Sequence, residues 1–78
     1  MVKPGIAYLD VLADIRAHSS KPLAVYQVSG EYAMIKAAAA AGVINEKSVV
    51  LESLLAFKRA GADLIITYYA EQMADWLK

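Results

Sequence analysis

Three side chains with useful chemistry stand where strand-like runs of this sequence end. They are Lys3, after Met-Val, Ser29, after an apolar run that starts at Pro22, and Tyr68, near the end of a second apolar run. A lysine amine that loses solvation among apolar neighbours favours its neutral form, which can attack a carbonyl to form a Schiff base. A serine hydroxyl beside the free amides of a helix start can bind a carboxylate or a phosphate. We interpret the three residues as one sector of a larger enzyme site.

Each of these residues also has an ordinary structural explanation. Lys3 can be a simple strand-end lysine, held in extended backbone angles by Pro4. Ser29 is a good candidate for the N-cap of the following helix, a role that does not exclude ligand binding. Tyr68 and Tyr69 are consecutive on a predicted strand, so their rings point to opposite faces. The spacing does not say which ring faces which side.

The order of predicted elements is strand end, helix, strand, two helices, strand, helix. An apolar stripe of Tyr8, Val11, Leu12 and Ile15 predicts the first helix, which should end near residues 18–20. The remaining elements are a strand over 23–28, a helix over about 31–41 closed by Gly42, a helix capped by Asn45 and closed by Gly61, a strand over 63–69, and a helix over about 71–78.

This alternation predicts right-handed crossovers and a parallel sheet, so the fold class is α/β. All strands then point the same way. Since the carboxyl ends of parallel strands share one edge, Lys3, Ser29 and Tyr68 should lie together there.

Composition excludes several classes of function. Eight basic and eight acidic residues cancel, which argues against nucleic acid or an anionic membrane as the main partner. The sequence has no cysteine, and we find no carboxylate pair, metal-ligand cluster or glycine-rich phosphate loop. No apolar run is long enough to cross a bilayer. We interpret the charges of Glu31, Lys36, Glu52 and Lys58 as helix surface, and Tyr26 and Tyr32 as packing aromatics with a hydrogen-bonded tip.

Three motifs carry a resemblance to a known family. They are Met-Val-Lys-Pro-Gly-x-x-Tyr at 1–8, Ala-Val-Tyr-Gln-Val-Ser-Gly-Glu-Tyr-Ala-Met at 24–34 and Arg-Ala-Gly-Ala-Asp-Leu-Ile-Ile-Thr-Tyr-Tyr at 59–69. With them the whole chain resembles the C-terminal part of the porphobilinogen synthases, or 5-aminolaevulinate dehydratases. Gln27 and the stretch from Tyr32 resemble bacterial and plant members more than animal ones.

The resemblance implies a fold and a chemistry. It implies that residues 1–78 are a partial domain, the C-terminal sector of a TIM-type (β/α)₈ barrel, with no second domain. The family's hydro-lyase reaction condenses two molecules of 5-aminolaevulinate into porphobilinogen in tetrapyrrole biosynthesis. By resemblance, Lys3 forms the Schiff base with the substrate that becomes the propionate side of the product. Ser29 and Tyr68 match residues that hold this substrate's carboxylate, which leaves Tyr69 to face the covering helices.

The resemblance also implies what else the enzyme uses. A complete barrel needs about 250 residues, so the second Schiff-base lysine, the ligands of a divalent metal (zinc or magnesium) and an arm used in oligomer assembly are expected upstream. No cofactor is expected within this chain. The implied setting is a homo-oligomer, an octamer, in the cytoplasm or, for a plant protein, the plastid.

Two other interpretations stay open on the sequence alone. The chain can be a truncated, non-catalytic barrel fragment with a role only in folding or assembly. Another Schiff-base barrel enzyme, such as an aldolase, fits the chemistry of a lysine at a strand end but is poorly supported by the motifs.

Overall fold

The computed structural model describes residues 1–77 and has the predicted order of elements. A 3-10 turn at Ile6–Tyr8 leads into the first helix. The helices and strands are α1 Leu9–His18, β1 Ala24–Gln27, α2 Ser29–Ala40, α3 Glu46–Ala60, β2 Leu64–Thr67 and α4 Ala70–Trp76. Within the described part of the chain, no helix is long and apolar enough to cross a membrane.

Strand β1 is paired on both of its sides. On one side it runs parallel to β2, with Ala24 opposite Leu64 and Gln27 opposite Thr67. On the other side Val2 forms a parallel bridge, since its N–H donates to the carbonyl of Ala24 and its carbonyl accepts from Tyr26, both at 2.9 Å. The predicted parallel direction is therefore confirmed, and so is the interpretation of the first residues as the end of a strand.

The helix ends follow local sequence signals in most cases. The Asn45 side chain accepts a hydrogen bond of 2.9 Å from the Ser48 N–H and caps α3. Gly61 follows α3 with a φ angle of 111°, and Gly42 follows α2 with a φ angle of 74°. Positive φ angles of this kind are typical of a glycine that ends a helix. The last helix ends at Trp76, with Leu77 as its C-cap, and the predicted extension to Lys78 lies outside the described residues.

The core lies between the sheet and the helices that cover one of its faces. Its buried apolar side chains are Val2, Leu12, Leu23, Val25, Val50, Leu54, Phe57 and Tyr69. On α3 the buried side chains Val50, Leu54 and Phe57 form one apolar stripe that packs into this core. The stripe on α1 is buried only at Leu12, because the described residues place nothing over the side that carries Val11 and Ile15.

Tyr69 connects three helices beneath the sheet edge. Its side chain is fully buried, and its hydroxyl donates to Glu46 at 2.9 Å. Lys36 forms an ion pair with the same carboxylate oxygen at 2.8 Å, and the Tyr32 ring lies 4.8 Å from the Tyr69 ring, centroid to centroid. The expectation that Tyr69 faces the covering helices is confirmed. Because Tyr69 is held in this way, the backbone of the neighbouring Tyr68 is held in place as well.

The environment of Tyr69 disfavours its ionised form. Burial, and secondly the hydrogen bond to the negative Glu46, raise the pKa of Tyr69 well above its usual value of 10.0. A raised folded-state pKa gives stability that is present below the unfolded pKa and is lost as pH rises above it.

The other side of the sheet leaves apolar surface open in this segment. Leu64 is 59% exposed and Ile66 is 37% exposed. Both lie on a strand whose nearly continuous apolar sequence is typical of a strand buried on both faces. On the helical side, next to the free edge of β2, a groove of about 360 Å³ lies between α3, β2 and α4 and is lined largely by leucines, with Ile65 and Met73. Strands of this kind are normally covered on both faces.

We predict that residues 1–78 alone do not unfold cooperatively in water, because the open face and the free edge of β2 lack the neighbours that would bury them. Circular dichroism during a urea titration of the monomeric segment measures this. A single sharp transition would contradict the prediction.

We predict that Tyr69→Phe destabilises a complete parent chain at pH 7 by about 1 to 3 kcal/mol, because the hydrogen bond to a charged acceptor is lost. The stability gap between the parent and Tyr69→Phe should narrow above about pH 10, where unfolded tyrosine ionises and the buried tyrosine resists ionisation. Urea unfolding at pH 7 and pH 10.5 measures the gap. The exposed Tyr8, changed to Phe, is the matched control, and a gap unaffected by pH would refute the account.

Candidate functional site

The residues predicted to act on a substrate stand at the carboxyl ends of neighbouring parallel strands. Lys3 directly follows the bridged residue Val2, Ser29 comes two residues after β1, and Tyr68 comes directly after β2. Because β1 lies between the other two strand ends, the structure brings the backbone of all three residues to one edge of the sheet. Ligands of α/β proteins are met at this edge.

The turn after Lys3 is held firmly although the Lys3 side chain is exposed. The Gly5 N–H donates to the Tyr26 carbonyl at 3.0 Å. A Cβ atom at Gly5 would lie 2.6 Å from Phe57 and 2.8 Å from Val25, so only glycine fits there without a shift of its neighbours. The apolar surroundings expected for the Lys3 amine are not supplied by the described residues.

The expectation that Ser29 caps α2 is wrong. The N-cap position belongs to Val28, and Ser29 is the first residue of the helix, with an exposed side chain. The backbone is still extended at Val28 and becomes helical at Ser29, and the carboxylate of Glu31 accepts from the N–H of the N-cap residue Val28. Ser29 therefore presents its hydroxyl at the first turn of a 12-residue helix, where the local dipole favours an anion.

Tyr68 shares a small cavity with Tyr26. The two hydroxyl oxygens are 3.3 Å apart, and the cavity of about 110 Å³ is lined by both tyrosines with Ile66 and Thr67. The hydrogen bond with Tyr68, together with partial burial, raises the pKa of Tyr26 above its usual value of 10.0. One hydroxyl of the pair donates to the other, which leaves the accepting phenol free to donate its own proton to a carboxylate. The expected hydrogen-bonded tip of Tyr26 is confirmed.

Glu31 is a second residue that the sequence interpretation placed wrongly. It was expected on the helix surface, but it is only 6% exposed. Its carboxylate accepts hydrogen bonds from the backbone N–H groups of Val28 at 3.0 Å, Gly5 at 3.1 Å and Ile6 at 2.7 Å. The available signal was its place three residues after the last extended residue, a position typical of a capping carboxylate.

The carboxyl ends of these strands carry an amine and several hydroxyl groups. An amine, an aliphatic hydroxyl at a helix start and a pair of phenols can bind a small keto acid and react with its carbonyl. Among residues 1–77 no group of three His, Asp or Glu side chains is placed to hold a metal ion. The divalent metal that the resemblance implies is expected on residues upstream of this segment, so the chemistry argued for this chain uses side chains alone.

Comparison with known proteins gives a consistent result. The family model described as delta-aminolevulinic acid dehydratase matches residues 1–76. The chloroplastic delta-aminolevulinic acid dehydratase of Physcomitrium patens is 60% identical over 77 residues, which are 99% of this chain and 18% of that protein. The Bacillus subtilis delta-aminolevulinic acid dehydratase is 54% identical over 77 residues, 99% of this chain and 24% of that protein.

A solved structure agrees with both. The delta-aminolevulinic acid dehydratase, or porphobilinogen synthase, of Toxoplasma gondii ME49 was crystallised in complex with the reaction product porphobilinogen. It superposes with a TM-score of 0.95 at 62% sequence identity, over 97% of this chain and 22% of that one.

This chain therefore spans about a fifth to a quarter of the length of the relatives it matches. Within that span the match covers every strand end considered above, and the chain belongs to the delta-aminolevulinic acid dehydratase family.

Proposed function

We propose that this segment supplies the Schiff-base lysine and a carboxylate-binding pair to a porphobilinogen synthase barrel. The observation that carries the proposal is the placement of Lys3, Ser29 and Tyr68 at one edge of the parallel strands in a chain of this family. The residues would form one domain, the C-terminal sector of a (β/α)₈ barrel whose remaining strands pair with β2 and with the Val2 strand.

Lys3 is the proposed nucleophile. Its neutral amine adds to the ketone carbon of 5-aminolaevulinate, and loss of one water molecule leaves a C=N bond between substrate and lysine. Protonation of this imine to an iminium acidifies the neighbouring C–H bonds. Removal of one such proton gives a carbon nucleophile that can form a bond to the second substrate molecule. Lys3 is later released when water adds back to the C=N bond or when an amine replaces it.

Ser29 and Tyr68 are proposed to bind the carboxylate of the same substrate. Their hydroxyls donate to the two carboxylate oxygens, with the first amides of α2 nearby. Holding the far end of the substrate fixes the ketone relative to the Lys3 amine, so binding contributes to orientation. Tyr26 hydrogen-bonds to Tyr68 and sets the direction of its phenol.

The rest of the proposal concerns what surrounds the segment. The second lysine, the divalent metal site and the oligomer contacts would come from other parts of a full-length chain and from further copies of it. The setting would be the cytoplasm or a plastid, since the relatives include bacterial and chloroplastic proteins. If only these 78 residues are made, the same chemistry predicts no catalysis, and a role in folding or assembly remains.

We predict that Lys3 is the residue trapped by borohydride in a complete enzyme carrying this segment. Such an enzyme is obtained by exchanging the corresponding segment of a full-length relative for residues 1–78. Incubation with 5-aminolaevulinate and borohydride should leave a secondary amine on the Lys3 peptide, detected by mass spectrometry. Lys3→Ala and Lys3→Arg should abolish it, because a guanidinium stays protonated and is not nucleophilic. Near-normal turnover of the Lys3 variants, or label only on Lys36 or Lys58, would refute the assignment.

We predict that Ser29→Ala and Tyr68→Phe keep the Lys3 adduct but need more substrate to form it. Each removes a hydrogen bond to a charged group worth about 1.5 to 3 kcal/mol, so KM should rise by about 10- to 150-fold. Steady-state kinetics measure this, with Ser53→Ala on α3 as the control for loss of a serine hydroxyl. An unchanged KM in both variants would remove them from the carboxylate site.

A further inference from the structure

The mechanism proposed above leaves a buried carboxylate unused. Glu31 lies at the sheet edge where the reactive residues stand, and its side chain contacts backbone rather than solvent. Its oxygens accept from two separate segments: Val28 in the β1–α2 connection, and Gly5 and Ile6 in the turn after Lys3. We propose that Glu31 is a positioning residue that fixes the Lys3 turn relative to the Ser29 helix start. The inference rests on the proposed function for its catalytic consequence.

The geometry requires a carboxylate. Oε1 accepts from both Val28 and Gly5, and Oε2 accepts from Ile6. All three partners are donors, so the group between them must present acceptors on both of its arms, as an ionised carboxylate does. Charge-assisted hydrogen bonds of this kind are shorter and stronger than neutral ones. Without the group, the Ile6 N–H at the start of the 3-10 turn would need another acceptor.

The contacts are close to the reactive residues along the chain. Gly5 is two residues from Lys3, and Val28 directly precedes Ser29. Movement of the Lys3 turn away from α2 would therefore change the distance between the proposed nucleophile and the proposed carboxylate site. The opposite face of Gly5 packs against Phe57 and Val25, so the turn is confined from both sides. Misplacement of a reacting group by about 1 Å can lower the rate about 100-fold.

A purely local capping role would look different. Capping of α2 uses only the contact between Glu31 and Val28. The contacts with Gly5 and Ile6 lie 25 to 26 residues away in the sequence and add nothing to the helix itself. They bridge two strand connections, which is the reason for assigning a positioning role.

The test is Glu31→Gln in the complete enzyme that carries this segment. Glutamine keeps the size, but its amide nitrogen must face a backbone donor, so at least one contact is lost. We expect kcat and the rate of borohydride-trapped Lys3 labelling to fall about 10- to 100-fold, with KM within about threefold, since the carboxylate-binding groups are intact. Ser29→Ala should show the opposite division between KM and kcat. The exposed Glu52, changed to Gln, is the matched control and should change neither.

A folded Glu31→Gln enzyme with kcat and labelling rate within twofold of the parent would overturn the proposal. A second measurement needs no variant. Without the hydrogen bond to Glu31, the Ile6 N–H would exchange rapidly with solvent. In the parent enzyme it should therefore exchange slowly, and residue-resolved hydrogen exchange followed by mass spectrometry measures this. If Glu31→Gln does not fold, fast exchange at Ile6 in the parent overturns the proposal and slow exchange supports it. Absence of any Lys3 adduct in the parent would instead refute the proposed function. The exchange rate at Ile6 would still report on the contact between Glu31 and the Lys3 turn.

Discussion

The backbone pairing of β1 on both of its sides is the constraint on which the rest of this structure depends. β1 uses the hydrogen-bonding groups of one side for Val2 and those of the other side for β2. Because both pairings are parallel, the three chain segments end at the same edge. The parallel pairing alone brings Lys3, Ser29 and Tyr68 near one another, and the connections after the strands only have to hold each strand end in place.

The two ends of the strands are stabilised by different means. At the amino end, Arg16 of α1 donates to Asp63 at 3.1 Å, and the same Asp63 oxygen accepts from the Leu23 N–H at 2.9 Å. The backbone hydrogen bond from Leu23, helped by the positive Arg16, lowers the pKa of Asp63 below its usual value. This pair joins the starts of β1 and β2 to a helix end. At the carboxyl ends of the strands, Glu31 joins the connection after β1 to the turn after Lys3. A structural carboxylate and the proposed reactive groups therefore lie at the same end of the sheet.

Local signals in the sequence predicted the parts of the fold that depend on local chemistry. Asn45 and Gly61 bound α3 because a side-chain acceptor and a left-handed glycine act within one turn of their own position. The parallel direction followed from the order of elements. The role of Glu31 could not be predicted in this way, because two of its three donors lie more than 20 residues away. The Ser29 cap failed for a local reason: α2 already begins at Ser29, with Val28 as its N-cap, and the nearby Glu31 carboxylate accepts from the Val28 N–H.

Periodicity likewise shows which side of an element is apolar but not what covers it. On α3 the stripe of Val50, Leu54 and Phe57 is buried by the sheet, whereas Val11 and Ile15 on α1 stay exposed in the described residues. The proposed site residues themselves were found from residue type and topology. Their assignment to particular roles came only from resemblance to a family, because an amine or a hydroxyl at a strand end serves many reactions.

The close approach of Gly5 to Phe57 has a consequence for how this sequence can change. The ring on α3 occupies the space that any side chain at position 5 would need. The two positions are therefore coupled. A larger residue at position 5 becomes tolerable only if the residue at 57 is smaller and Val25 of β1 also gives way, and a smaller residue at 57 alone leaves an unfilled volume under the turn that bears Lys3. Substitutions that change this turn therefore also require changes in α3. A helix that is distant in the sequence from Lys3 thus limits how the reactive end of the segment can evolve or be redesigned.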